Sequence, residues 1–389
     1  MGRLMLVLLA VALSACGSAG SDPGPPGRVG GTWERLPDPP LSPRESAVAV
    51  PAGGAVLVVG GSDADPCPPN ADCAAPAAPL LRDGALYDPR AGTWERIADA
   101  PVGVSFGSTA VVGGDVYLLA PGEPWESGAP PAFLRYRTGD DRWTRLPLPS
   151  GASRRSIVAA GDRVVAYADS DEFGVVPDLV FDPARRAWAE LPDDPLPRTF
   201  DRTMAWSGRE LVLAAHALVP DPGAREPSVV IAAAYDAGRG TWRRLPDSEI
   251  LGGGARWFAH EGRLVLAALG SADGGEVGNW GRPYPNGGVL DVEPGRWSGL
   301  PDPPAGADEF SAGIVAGDRA DYWGQQGWVL DAVAGGWTQV PPLDGDDQIV
   351  SGRSVAAAGR DLLGFGGARW PGDGGRGELL GEAWLWRAP

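Results

Sequence analysis

One phrase recurs along this chain and restricts its fold more than any other feature. It is a turn, a tryptophan, two mostly polar residues, an aliphatic or small residue and, usually, a proline. The copies are GTWERLP at Trp33, GTWERIA at Trp94, DRWTRLP at Trp143, RAWAELP at Trp188, GTWRRLP at Trp242, GRWSGLP at Trp297 and GGWTQVP at Trp337. Seven copies, 40 to 61 residues apart, mark an array of supersecondary units, each unable to bury its apolar faces alone.

The intervals share a grammar. An apolar run such as STAVVGG or RSIVAAG leads through a turn to a second run such as DVYLLA, RVVAYA or ELVLAA. A stretch of variable length follows, then ALYDP, LVFDP or AAYDA, then the Trp segment. Short β-rich runs between Gly, Pro and Asp turns predict four antiparallel strands per repeat. Helical spacing of apolar residues is absent from the chain beyond its N-terminal segment. Because side chains alternate across a strand, Trp94 and Ile97 must point to opposite faces. Each sheet is then covered on both sides, while Glu95 and Arg96 charge the outer edge against further pairing.

Four-stranded sheets covered on both faces and repeated about seven times describe a β-propeller. The chain opens with a lone Trp strand at residues 30 to 37 and finishes with GEAWLWRAP, the equivalent of a third strand. The expected fold is therefore all-β, a seven-bladed β-propeller of four-stranded antiparallel blades. The N-terminal strand completes the last blade and closes the ring. An open solenoid would call for polar capping units, which neither end carries.

These residues resemble the kelch family of propellers, to which the central domain of galactose oxidase belongs. Its repeat has Gly-Gly after the second strand, Tyr-Asp in the third and Trp in the fourth. Gly60 and Gly61, Tyr87 and Asp88, and Trp94 match in one repeat. The resemblance covers residues 30 to 389, although the double glycine recurs at that place only as Gly366 and Gly367.

The first residues have a different character. Arg3, the run LMLVLLAVAL and small residues ending at Cys16 read as a signal peptide over residues 1–15, too short for a lasting membrane span. LSAC at residues 13–16 resembles the bacterial lipobox, which implies lipidation of Cys16 and anchoring outside the cytoplasm. Residues 16–29, rich in Gly, Ser and Pro, read as a flexible tether before the domain at 30–389.

Net charge is −17 and all 33 basic residues are arginine. That balance argues against nucleic acid and against an anionic membrane surface, leaving the lipid as the only expected membrane contact. Cys67 and Cys73, in DPCPPNADC, read as a disulfide of an oxidising compartment. Closing so short a loop stabilises by ~2 kcal/mol on the chain-entropy model. A metal site would need further ligands, and the chain has only His216 and His260 as histidines. No metal and no cofactor is expected.

Long insertions fall between second and third strands, at 62–82, 121–130, 169–177, 216–228, 270–287 and 367–379. In a meander they share a face with the links between blades, and loops on a rigid scaffold are where function concentrates. Arg155, Arg202, Arg256 and Arg353 hold one position, at the start of the innermost strand of four blades. Arg44 lies one residue out of register, and Glu45 and Glu309 enter the same neighbourhood. Converging guanidinium groups would bind a carboxylate or another anion. The alternative is structural, since kelch repeats often carry an arginine there that holds loop carbonyls or a neighbouring acid. Trp125, Trp280 and Trp370 lie in insertions, where an aromatic stacks on sugar, anchors a protein partner or pins its own loop.

No phosphate loop or nucleophile elbow is present, and no catalytic residue is assigned. A copper radical oxidase would need paired His ligands and a Cys-Tyr crosslink, whereas His216 and His260 fall in different blades. The expected function is that of a monomeric, lipid-anchored module binding a protein or glycan of the cell envelope through the insertion-bearing face. The alternative is an enzyme acting on an anionic sugar in the central funnel, similar to a sialic acid mutarotase and using Glu309, Glu45 and the arginines.

Overall fold

The computed structural model describes residues 28–388 except 69–70, 72, 74–78, 122–130, 153–154, 224–225, 253–256, 261, 267, 269–279, 283, 301–311, 317–318, 324–327, 332–335, 342, 344–347 and 372–374. Cys16, Trp125, Arg256, Glu309 and the signal peptide lie outside the described residues, as does the tether up to residue 27.

The described residues are all-β, and their main sheets are antiparallel meanders in chain order. The first sheet is Val48–Ala52, Ala55–Val59, Gly84–Asp88 and Thr93–Ile97. The second is Ser108–Val112, Asp115–Ala120, Ala132–Arg137 and Arg142–Leu146, and the third Arg155–Ala160, Arg163–Ala168, Leu179–Asp182 and Ala187–Glu190. The fourth is Thr199–Trp206, Leu211–Ala217, Ile231–Asp236 and Thr241–Arg244, and the fifth Trp257–His260, Arg263–Leu266, Gly288–Asp291 and Arg296–Gly299. The sixth, Ala312–Ala316, Arg319–Trp323, Trp328–Asp331 and Gly336–Gln339, gains Arg28–Val29 as a parallel edge. Those two residues, the last of the segment read as tether, are thus part of a sheet.

The seventh sheet joins the two ends of the chain. Ser354–Ala358, Asp361–Phe365 and Ala383–Arg387 are completed by Thr32–Arg35, with Trp33 opposite Trp386 and Arg35 opposite Trp384. In a separate three-stranded sheet, Ala368–Pro371 and Glu378–Leu379, from the region expected to be a plain insertion, join Gln348–Ser351 of the link before the seventh sheet.

Second strands read as continuous apolar runs because both of their faces are buried. Val56, Leu57, Val58 and Val59 are each fully inaccessible. Val56, Val58 and Tyr87 pack on Leu363, Phe365 and Leu385 of the seventh sheet. Leu57, Val59 and Ile97 turn the other way, onto Val116, Leu118 and Leu134 of the second. Trp94 joins the seventh-sheet side, so Trp94 and Ile97 do face opposite ways. The pattern continues with Tyr117 and Phe133 against Val164 and Phe181, Val165 against Leu211 and Leu213, and Val212 and Ala214 against Leu264 and Leu266. Val329 and Val340 of the sixth sheet meet Leu362 and Trp386 of the seventh. First strands adjoin in the same order from the first sheet to the fifth, and those of the sixth and seventh adjoin in turn, the seventh lying beside the first.

The recurring phrase builds a turn and a latch. Asp88 Oδ1 accepts the amide N–H groups of Arg90 and Ala91, and Asp182 and Asp236 repeat the arrangement. Two residues before the Trp the backbone is left-handed, at Gly31 (φ 77), Gly92 (φ 68), Asp141 (φ 43), Arg186 (φ 54), Gly240 (φ 69) and Gly295 (φ 64). Glycine takes that conformation without steric cost, and arginine does not. Arg186→Gly is expected to raise stability by about 0.5–1 kcal/mol, measured by urea unfolding. An unchanged or lower midpoint would contradict this account of the turn.

The tryptophan forms the latch. Trp143 donates its indole N–H to the Ala98 carbonyl at 2.9 Å, Trp188 to Pro147 at 2.7 Å, Trp242 to Pro192 at 2.8 Å and Trp297 to Pro246 at 2.8 Å. Each acceptor lies four residues after the preceding copy's tryptophan. Trp33, first in sequence, donates to Pro341 at 2.7 Å, the carbonyl four residues beyond Trp337. Trp94 departs from the pattern: its buried Nε1 has no acceptor, and its ring packs against Tyr87 at 5.0 Å and Phe365 at 6.5 Å.

Candidate functional site: the insertion-bearing face

In a four-stranded meander the link into the first strand and the loop from second to third strand emerge on the same edge. Five described sheets place their long insertions there, and the aligned arginines sit beneath them. Arg44 is 1% exposed and spends its whole guanidinium group within the fold. It pairs with both Asp83 oxygens at 2.7 and 3.1 Å and donates to the Gly60 carbonyl, the Ser42 carbonyl and Ser42 Oγ. Hydrogen bonding to Arg44 holds the Asp83 carboxyl below the usual carboxylate range.

Arg202 is buried in a larger network. Nη2 meets Asp178 at 2.8 Å, and Nη1 lies 3.5 Å from Asp171 and 3.4 Å from Asp194. Nη1 also donates to Thr199 Oγ1 and Nε to the Ala168 carbonyl. Arg155 donates to the Pro177 carbonyl at 2.7 Å and stands 3.8 Å from the same Asp178, with its buried Nε unpartnered. Burial pushes the Asp178 carboxyl up, against the pull of Arg202. Arg353 donates Nε–H to the Gly366 carbonyl at 3.4 Å.

These contacts have one geometry. Gly60, Ala168 and Gly366 lie at the ends of second strands, and Asp83 and Asp178 immediately precede third strands. The arginines therefore clamp the bases of the insertions. For Arg44 and Arg202 every guanidinium edge is engaged by protein, so an incoming anion would have to displace a buried carboxylate. The acids were the signal missed in the sequence: RDGALYD and PDLVFD both carry an Asp directly before the third strand. Glu45 is half-buried beside Gly352, and burial pushes its carboxyl up.

The insertion tryptophans divide in the same way. Trp370 is buried, donates to Ser351 Oγ at 3.0 Å and covers Gly377, whose missing side chain leaves room for the ring. It pins its own sheet. Trp280 reaches from the fifth sheet's insertion to the Gly223 carbonyl of the fourth at 3.2 Å and meets Tyr284 edge-on. Beside Gly223 a cavity of about 520 Å³ is lined by Val219, Asp221, Glu226, Ser228 and Ile231.

The Cys67–Cys73 disulfide is formed, closing part of the first sheet's insertion. His216 is buried, with Nε2 3.1 Å from the Leu251 carbonyl and Nδ1 3.6 Å from Asp201. Among the described residues no cluster of His, Cys, Asp and Glu is placed to hold a metal ion. Among exposed charged residues the face also leaves large apolar side chains open to solvent: Phe106 is 81% exposed and Phe173 97%, followed by Val175, Val176 and Val219. No protein-family model matches the chain, and no curated protein matches it in sequence.

Proposed function

We propose that the seven sheets are the blades of a kelch-type propeller closed by Thr32–Arg35, and that the protein is a lipid-anchored binding module of the cell envelope. Its partner, a protein or glycan, engages the insertion-bearing face. The observation that carries this reading is the division of labour there: Arg44 and Arg202 are consumed in clamping loop bases, and the connections above them hold out Phe106 and Phe173. The same division disfavours turnover of an anionic sugar in the funnel, because Arg44 and Arg202 have no edge to offer it.

The closed ring is supported by the face-to-face packing of the first five sheets in chain order, by the contacts of the sixth with the seventh and of the seventh with the first, and by the bond from Trp33 to Pro341. The entry of the chain suits an anchor. Arg28–Val29 runs parallel to Gly336–Gln339, a fourth strand that travels from the short turns toward the insertions. The described chain therefore enters this strand from the short-turn side, the edge opposite the insertions.

Two measurements test the reading. Cys16→Ser should move the protein from the membrane fraction to the soluble one, and continued membrane association would remove the anchor. The purified full chain, probed with a glycan array and with solubilised envelope proteins, should retain a partner that is lost when residues 169–177 become a Gly-Ser loop of equal length. Retention by that variant would place binding elsewhere.

A further inference from the structure

The geometry points to a particular partner chemistry: a protein surface with apolar pockets rimmed by basic side chains, one entered by Phe106 and another by Phe173. This deepens the proposed function and rests on it. Single exposed apolar residues are ordinary on a protein surface. Here they stand on the same edge of successive sheets, Phe106 in the link into the second, Phe173, Val175 and Val176 in the insertion of the third.

Both phenylalanines are held rather than loose. Phe106 has φ 50, a left-handed conformation that a bulky side chain adopts at a cost and keeps only where its surroundings impose it. Its neighbours do so. Val104 is fully buried, its amide donates to the Leu81 carbonyl and its carbonyl accepts from Gly61, while Ser105 Oγ donates to the Ser46 carbonyl at 3.2 Å. The turn carrying Phe173 is tied at its base to the buried network. Asp171 Oδ2 accepts from Thr199 N and Oγ1, Arg198 donates to the Asp171 carbonyl, and Gly174 N closes the turn on that carbonyl. A rigid apolar tip loses little freedom on binding, which is the condition for an anchor residue.

Shape and charge select the partner. The phenylalanines project from loops rather than lining a hollow, so the hollow belongs to the partner, whereas glycan and small-ligand sites are concave. Around the third sheet's tip stand the exposed Glu172 and Asp193, with Arg198 held against the Asp171 carbonyl, on a chain of net charge −17. Complementarity calls for a basic rim, and the same charge repels an anionic lipid surface.

The test uses the full chain and defined probes: an amphipathic peptide of Leu, Trp and Arg, its Glu counterpart, oligo-arginine, and vesicles of anionic or zwitterionic lipid. The basic amphipathic peptide should bind, weaken with salt, and lose at least tenfold in affinity to Phe106→Gly/Phe173→Ser. Oligo-arginine should bind more weakly and be indifferent to that change. Phe106→Gly alone should lose affinity while raising Tm by about 1–2 °C, because the strained backbone is relieved. Equal binding of the Glu peptide or of vesicles, or undiminished affinity in the double variant, overturns the inference. An envelope partner lost with the 169–177 loop but kept by the double variant would sink this inference alone. A partner kept by both would sink the proposed function as well.

Discussion

Arg202→Ala is expected to cost the fold about 3–5 kcal/mol, the range for removing one partner of a buried ion pair. The guanidinium group touches Asp178, Asp171 and Asp194, which come from two different connections, and the Ala168 carbonyl at the end of a second strand. Without it, Asp178 keeps only the Ala168 amide at 3.2 Å and Arg155 at 3.8 Å. Lysine should rescue little, since a point charge cannot serve Nε and both Nη positions together. The pH dependence identifies the cause. Burial already raises the Asp178 carboxyl, and losing Arg202 raises it further. A carboxyl whose folded pKa lies above its unfolded value stabilises the folded chain below the unfolded pKa and loses that contribution as pH rises through the folded one. The deficit should therefore be small near pH 4 and grow toward pH 7, read by urea denaturation at both. A variant of normal stability that fails to bind a partner would return Arg202 to the role of ligand contact.

Much of the scaffold was legible because its signals are local. Alternation alone required Trp94 and Ile97 to face opposite neighbours, and they do. Cys67 and Cys73 sat close together in a Pro-rich stretch and are bonded. The Asp of YDP could be read as a turn residue, and its carboxylate does cap the turn. Alternation makes the repeat tryptophans legible as residues that pack against a neighbouring sheet. Their indole bonds were not visible, because each acceptor is a carbonyl in another repeat, recognisable only once the sheets lie side by side.

The arginines were half legible. Register placed Arg155, Arg202 and Arg353 at equivalent positions, but their partners come from segments of unequal length that no periodicity aligns. Asp171 lies within one insertion and Asp178 directly after it, and Asp194 lies in the link after the next fourth strand. The small sheet around Trp370 was hidden for a similar reason. Gln348–Ser351 and Ala368–Pro371 are short, and their pairing depends on the chain leaving the seventh sheet and returning to it.

The second large effect concerns the strand that joins the two ends. Trp33 faces Trp386 and bonds Pro341, Trp386 Nε1 donates to the Gly30 carbonyl at 3.1 Å, and Gly31 has no room for a β-carbon against the Trp386 indole. Leu36 is buried among Phe365, Ala383 and Leu385, and Arg387 spans Glu34 and Asp361. Removing residues 28–36 discards this burial, roughly 1.5–3 kcal/mol for each large apolar side chain. It also leaves Ala383–Arg387 as a bare edge and uncovers Trp386, which is fully buried. The total is on the order of 5 kcal/mol or more, comparable with the whole stability of many domains.

Closure of the ring is thus tested by comparing thermal unfolding of a chain that starts at Arg28 with one that starts at Pro37. The first should unfold cooperatively at the midpoint of the longer protein, and the second should lose its cooperative transition or fall far below it. Equal midpoints and equal cooperativity would mean that residues 28–36 hold nothing together, and the closed ring would be contradicted.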